Sequence, residues 1–339
     1  METSEKKTLW WLAAGAGALL AARTISRSLN AYNFKGRVVL ITGGARGLGL
    51  VMARQLAQEG ARLVLCSRNE RQLEEARQEL AGKGADVLVR QCDVKDEQQV
   101  QDMIAHVQNE FGPIDVLINN AGVIQAGPVT EMTTLEFEEA MRTHFWGPLY
   151  TTLAVLPNLR ARGGRILNIS SIGGKLSVPH LLPYCASKFA LRALSEGLRS
   201  ELQQYGISVT TATPGLIVTG SPRHTIIKGH NKEEYALFKI IDSSRLTAMS
   251  AEATAEKILD AFRHGDAEVT TTLPAKAGAL LHGVAPGLMT DIFALVNKLL
   301  PGAGGIGQER ATGSESESRL SMSPLTERTQ QAAQRNNEL

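Results

Sequence analysis

The chain has 339 residues, 43% of them hydrophobic and 21% charged, and a formal net charge of +2. That is apolar enough for a sizeable core and excludes a chain disordered throughout, while the near-neutral balance offers no basic footprint for nucleic acid. Cys66, Cys92 and Cys185 stand far apart without CxxC spacing, which excludes a disulfide framework and a zinc site and suits a reducing compartment.

Residues 1–7 are polar. Leu9 to Ala22 then reads LWWLAAGAGALLAA, fourteen residues without a charge. As a helix this run spans about 21 Å, short of a hydrocarbon core of about 30 Å. Extending it over residues 8–25, with Arg23 snorkelling toward headgroups, gives about 27 Å. Trp10 and Trp11 resemble an interfacial belt. Segment 8–25 therefore reads as a membrane anchor, spanning or monotopic; a cleaved signal peptide and a soluble extension packed on the domain are the other readings. Arg23, Arg27, Lys35 and Arg37 after the run outnumber Lys6 and Lys7 before it, which puts the following domain on the cytoplasmic side.

Strands and helices alternate from here. Val38 to Ile41 is a continuous apolar run followed by glycines, the pattern of a parallel strand covered on both faces. Leu48, Val51, Met52 and Leu56 recur at helical spacing. A strand at 62–66, a helix at 70–80, a strand at 86–90, a helix at 97–111 and a strand at 114–118 continue the pattern. Further strands fall at 164–169 and 207–211. The alternation predicts an α/β, Rossmann-like, doubly wound parallel sheet in one domain over about 33–301. Residues 277–300 are apolar but broken by Pro286 and Gly287, and either pack on the domain or touch a membrane. Segment 302–339, dominated by Gly, Ser, Glu, Gln and Asn, reads as a disordered tail.

Thr42-Gly43-Gly44-Ala45-Arg46-Gly47-Leu48-Gly49 joins the first strand to the first helix. Glycines there allow a tight turn and let backbone N–H groups approach a pyrophosphate at the helix N-terminus. The end of the second strand selects the cofactor. NAD asks for a carboxylate that bonds the ribose 2′-hydroxyl, whereas NADP asks for a neutral residue and arginine. Here Ser67 and Arg68 follow the strand and Arg46 lies in the loop, so NADP(H) is favoured.

Tyr184 and Lys188 stand four apart, on one face of a predicted helix. A tyrosine with a pKa of about 10 is a poor acid at neutral pH, and a nearby ammonium would bring it toward working range. Thirteen residues earlier Ser171 ends a strand, where its hydroxyl can bond a carbonyl or alcohol. With these residues in order, residues 35–275 resemble a short-chain dehydrogenase/reductase. The resemblance rests on TGGARGLG at 42–49, Cys-Asp-Val at 92–94, Asn-Asn-Ala-Gly at 119–122, Ser171 with Tyr184 and Lys188, and Pro214-Gly215 with Thr219.

The resemblance implies that Asp93 and Val94 meet the adenine and that Asn119, Asn120, Ala121 and Gly122 brace the central strand beside the ribose. It implies that Ser171 orients a carbonyl, Tyr184 donates the proton, and Lys188 holds the nicotinamide ribose. Pro214, Gly215 and Thr219 shape the nicotinamide side, and family members pair as homo-oligomers. One position departs from the pattern. The family's usual asparagine ahead of a short x-x-Gly is His144 here, which either keeps a proton relay or is a satisfied core histidine.

Ile172, Leu176, Val178, Leu181 and Leu182 flank Tyr184, and Leu216, Ile217 and Val218 follow Gly215. Such a lining suits a lipophilic ketone or aldehyde reduced to an alcohol. The rival reading is a membrane-tethered NADP-binding regulator or scaffold with weak catalysis.

Overall fold

The structure, a computed structural model, describes Trp10, Trp11, Gly15, Gly17, Arg27 and residues 31–339. The first strand, β1 (Val38–Thr42), is buried at every residue. Its side chains alternate between two apolar layers: Val39 and Ile41 join Leu50, Met52, Leu56 and Phe262 on one face, and Val38 and Leu40 join Val100, Ile104, Leu117 and Val155 on the other. That is the period of two expected of a strand covered on both sides, and each such side chain contributes about 1.5–3 kcal/mol by leaving water.

Helix α1 (Gly47–Gln58) follows, then β2 (Arg62–Ser67), α2 (Glu70–Ala81), β3 (Val87–Gln91), α3 (Glu97–Phe111) and β4 (Val116–Asn119). The starts of α2 and α3 are set by short polar side chains. Asn69 accepts from the Gln72 amide and Asp96 from the Gln99 amide, each satisfying an N–H that the helix leaves unpaired. After α4 (Thr134–Met141) the backbone takes one π turn over Arg142–Trp146 before α5 (Gly147–Arg162). The chain continues through β5 (Gly164–Ile169), α6 (Leu182–Leu202), β6 (Ile207–Ala212), α7 (Asn231–Ser243), α8 (Ala251–Arg263) and β7 (Glu268–Val269).

The seven strands form one parallel sheet in the order β3-β2-β1-β4-β5-β6-β7. The order reverses beside β1, where β4 pairs on the other side from β2. In a doubly wound sheet that crevice, outside the carboxyl ends of the strands, is where ligands lie. The strand edges differ from the sequence reading by one or two residues. β4, for example, begins at Val116 rather than at 114, because its ladder to β5 starts where Val116 meets Arg165.

The chain ends in α9 (Leu273–Val284), α10 (Pro286–Asn297) and a segment carrying α11 (Glu327–Arg335). Helices α9 and α10 expose Leu280, Val284, Leu288 and Leu295, and Leu299 is exposed just beyond them, so the apolar run at 277–300 lies largely on the surface.

The tail reading requires correction: 302–339 is folded against the domain rather than disordered. Ala311–Thr312 adds a short antiparallel strand to Ile226–Ile227, and Ser316, Ser321, Thr326, Asn336 and Glu338 are buried. The reason is that its polar side chains find partners on the domain. Arg223 pairs with Glu317 at 2.5 Å and Asn231 donates to Ser316 at 2.9 Å, so the segment orders through hydrogen bonds that composition does not reveal. The anchor reading for 8–25 falls almost wholly outside the described residues. Among the described residues no helix is long and apolar enough to cross a membrane.

Candidate functional site

The glycine loop is built by close approach of backbones. Gly43 has φ +64°, and a Cβ there would stand 2.9 Å from Ala121 Cα; a Cβ on Gly49 would stand 2.3 Å from the Gly43 carbonyl oxygen. Neither position admits a side chain. Gly49 thus supports the loop from beneath, while Gly43, Arg46, Gly47 and Leu48 line the cleft above it. The Gly43 amide donates to Cys66 O at 2.8 Å, tying the loop to the end of β2.

The Asn-Asn-Ala-Gly segment braces this turn. Asn120 Nδ2 donates to the carbonyls of Thr42 (3.0 Å) and Gly43 (3.1 Å), and the Asn120 and Ala121 amides donate to Thr42 Oγ1. Asn119 is turned inward, donating to Asn168 Oδ1 at 2.9 Å and accepting from Thr151 at 2.7 Å. It is scaffold. At the neighbouring strand ends, Ser67, Arg68, Asp93 and Val94 line the same cleft, with Arg68 4.0 Å and Lys95 3.4 Å from the Asp93 carboxylate.

The donor set suits a nicotinamide dinucleotide. Two guanidiniums, Arg46 and Arg68, flank a strand end without a carboxylate at Ser67, and α1 has no side-chain cap of its own. A carboxyl already stands in this cradle: Glu338 lies 3.1 Å from where a Gly47 Cβ would be, with burial pushing it up to about 7 and Arg46 pulling the other way. The loop and its helix start are thus able to hold negative charge.

The second half of the cleft comes from β5, α6 and the chain after β6. Ser171 follows β5, its Oγ accepting from the Gly173 amide at 3.0 Å. Tyr184 and Lys188 occupy one face of α6, with Lys188 Nζ 5.7 Å from the Tyr184 ring centre and donating to Ile169 O at 2.8 Å. Burial pushes the Tyr184 phenol above its usual value, with a hydrogen bond to Ser171 pulling the other way. Burial also brings Lys188 down to about 7. The expected lowering of the tyrosine by the ammonium is not seen in the protein alone, because loss of water penalises both charged forms.

Pro214, Gly215 and Thr219 also line the cleft. Pro214 O accepts from the Ile172 amide at 2.8 Å, and a Gly215 Cβ would stand 2.3 Å from Thr272 Oγ1. Thr219 is buried and accepts from the Ser221 amide at 3.2 Å.

His144 sits in the π turn, fully buried. Its Nε2 accepts from the Val123 amide at 3.1 Å and its Nδ1 lies 2.7 Å from Ser187 Oγ. The Val123 contact fixes the neutral tautomer with the proton on Nδ1, and burial holds the ring well below the usual histidine value. The ring meets Tyr184 edge-on at 5.5 Å, and a Cβ on Gly122 would reach to 3.2 Å of Nε2. Both nitrogens are engaged inside the protein, the geometry of a satisfied core histidine.

These pieces line one cleft of about 650 Å³ that runs from the glycine loop past Tyr184. Its far wall carries Leu181, Leu216, Leu237 and Phe238, with Val296 and Leu300 from the end of the chain. Three residues there carry no motif in the sequence. Asp242 on α7 is buried, its carboxyl pushed up to about 8 by burial. His180, in the left-handed region at φ +63°, has Nδ1 2.5 Å from Glu234 Oε1 on α7. Distance in sequence from Tyr184 conceals Asp242 and Glu234, which only the packing of α7 over the cleft brings in, while His180, four residues before Tyr184, is marked out only by its pairing with Glu234.

A family profile for short chain dehydrogenases matches residues 37–226. The bovine dehydrogenase/reductase SDR family member 7B is 35% identical over 268 residues, covering 77% of this chain and 81% of the relative. A gluconate 5-dehydrogenase from Burkholderia cenocepacia, solved with NADP and tartrate, matches with a TM-score of 0.64 and 27% identity, covering 74% of this chain and 99% of that one. A short-chain dehydrogenase/reductase from Burkholderia phymatum, solved with NAD, has the same fold at a TM-score of 0.68 and 24% identity over 76% of this chain and 96% of that one. The protein belongs to the short-chain dehydrogenase/reductase family of oxidoreductases.

Proposed function

We propose that the protein is an NADP(H)-dependent reductase that converts a lipophilic ketone or aldehyde to an alcohol, with Tyr184 as the acid. The observation that carries this reading is the single cleft in which Ser171, Tyr184 and Lys188 stand at one end and Arg46 and Arg68 at the other. Arg46, Gly47, Leu48, Ser67, Arg68, Asp93, Val94, Asn120, Ala121, Gly122, Pro214, Gly215 and Thr219 would hold the dinucleotide, Arg46 and Arg68 taking the 2′-phosphate. When bound, NADPH supplies the hydride.

The chain's own residues handle the oxygen. Ser171 Oγ donates to the substrate carbonyl and fixes its orientation. Tyr184 Oη gives its proton to that oxygen as negative charge develops there. Lys188, one helical turn away, stabilises the phenolate that remains and holds the ribose. His144 acts as a positioning residue: its ring sets the Tyr184 face of α6 against the Gly122 turn. Apolar walls exclude water and favour a lipophilic substrate.

Membrane association with the catalytic domain on the cytoplasmic side belongs to the same reading. The exposed leucines of α9 and α10 support it, since Val296 and Leu300 of that region also line the cleft. Pairing through the outer faces of α5 and α6 is supported by exposed Leu153 on α5, Trp146 just before it and Leu182 at the start of α6, and a mass measurement in solution checks it.

The test is NADPH consumption against short and lipophilic carbonyls, with and without phosphatidylcholine vesicles, beside Tyr184→Phe. The expected result is turnover that falls by roughly 10²–10⁴ in the variant while NADPH binding persists. Tight binding without turnover in the unaltered protein would favour the regulator reading instead.

A further inference from the structure

We propose that the C-terminal segment is a plug of the cofactor site, in which the Glu338 carboxyl occupies the phosphate subsite of the glycine loop and must leave before a dinucleotide binds. The inference rests on the cofactor reading of the cleft and concerns its regulation.

The start of α1 is where the argument begins. Helices α2 and α3 carry their own caps, Asn69 and Asp96, but α1 has no side-chain cap and no acidic residue in its first turn. Its unpaired N–H groups and positive end call for an anion from elsewhere. The last residues of this sequence stand there. The Gly47 amide donates to Asn336 O at 2.9 Å, and Glu338 brings its carboxylate over Gly47.

Across the cleft the same carboxylate accepts from the Gly220 amide at 2.6 Å and from Ser221 Oγ at 3.3 Å. It therefore bridges the two backbone turns between which the family's dinucleotide lies, and it is 1% exposed. The Glu338 carboxyl and a diphosphate want the same donors and the same volume, so they cannot share this space.

The approach is shaped for this placement. Asn337 takes a left-handed conformation at φ +57°, which asparagine tolerates better than most side chains, and this turn aims Glu338 inward. Asn337 Nδ2 donates to Ala45 O at 3.0 Å and Gln72 O at 2.9 Å, locking the turn onto the glycine loop itself. Arg54 donates to Asn336 Oδ1 and to Arg335 O, both at 2.8 Å.

Reversibility follows from what is missing from the seat. The buried apolar residues of α11 are the small Ala332 and Ala333. Polar contacts carry the rest, and water replaces each at a modest net cost. A segment held this way competes with a ligand by population: a cleft open only a fraction of the time binds with an apparent Kd raised by that fraction.

The test measures the NADPH Kd by fluorescence for the full chain, for Glu338→Gln and for a chain ending at Arg335. Thermal unfolding of each checks that it is folded. Both variants are expected to bind NADPH more tightly, by roughly tenfold for a plug seated nine-tenths of the time. Equal or weaker binding in both would overturn the plug, weaker binding marking the segment as a strap over bound cofactor.

A second arm follows carboxypeptidase removal of Leu339 by mass spectrometry, with NADPH or with inorganic pyrophosphate added. Faster removal with either is expected, because a displaced segment is open to digestion. Acceleration by pyrophosphate in a protein that binds no dinucleotide would keep the plug and remove the cofactor reading. Unchanged digestion with both, in a chain that binds NADPH, would remove the plug and keep the cofactor.

Discussion

Replacing Ser67 by aspartate puts the cofactor assignment under direct load. Ser67 ends β2, whose preceding residue Cys66 accepts from the Gly43 amide at 2.8 Å, so position 67 is held rigidly against the glycine loop. A carboxylate at position 67 would stand within about 5 Å of a 2′-phosphate, and at an effective dielectric of about 20 the repulsion between unit charges there is about 3 kcal/mol. Arg68 is 61% exposed on its side chain, so solvent screens part of this. The net loss is about 1.5–3 kcal/mol, roughly ten- to a hundredfold in NADPH affinity. A carboxylate there also accepts from the ribose hydroxyls of NADH, so NADH should improve as NADPH weakens. The assay is kcat/KM for NADPH and NADH with one carbonyl substrate, at two salt concentrations. The NADPH-to-NADH ratio should fall by at least tenfold in Ser67→Asp, and less at high salt. A ratio moved less than threefold, or an unaltered protein that prefers NADH, would refute the assignment of Arg46 and Arg68 to a 2′-phosphate.

Two further outcomes follow from the catalytic half of the cleft. Burial brings Lys188 to about 7, below its ordinary value of 10.5, so between these values the unfolded chain binds the proton that the folded chain has shed. Stability then rises with pH across that window, by up to about 1.4 kcal/mol per pH unit. Urea unfolding at pH 7, 8 and 9 should show this rise in the unaltered protein and lose it in Lys188→Met; the same slope in both would place the titration elsewhere. His144→Phe leaves the Val123 amide and Ser187 Oγ without their partner and should cost about 2–4 kcal/mol of stability. His144→Asn should recover part of that loss and of the activity. For a positioning role, the remaining change should lie in kcat with the pH profile of turnover unmoved, whereas a shifted profile would restore His144 to the proton path.

Much of the architecture is legible in the sequence, because period-two burial and glycine punctuation are local properties. Val38 to Ile41 announced a strand covered on both sides, and α3 and β5 fall where the sequence placed them. The glycine loop, Ser171, Tyr184 and Lys188 were legible for the same reason: a turn, a strand end and a one-turn helical spacing are each written within a few residues. The seating of His144 was not, since a histidine's role depends on what meets its two nitrogens. Val123 and Ser187 stand 21 and 43 residues away.

Tertiary structure decided the remainder. Asp242 and Glu234 enter the cleft only because α7 crosses it, and no spacing relates them to Tyr184. The end of the chain is the clearest case. Composition made 302–339 polar and therefore structureless by the rule that too little apolar surface is buried to offset ordering. That rule counts a chain against water alone. Here the polar groups meet a domain that leaves the start of α1 uncapped and Arg54, Gln72 and Gly220 able to donate, and Glu338 lies 1% exposed among them. A hydrogen-bonding surface is assembled from residues hundreds of positions apart, so only the folded domain could specify where its own last residues rest.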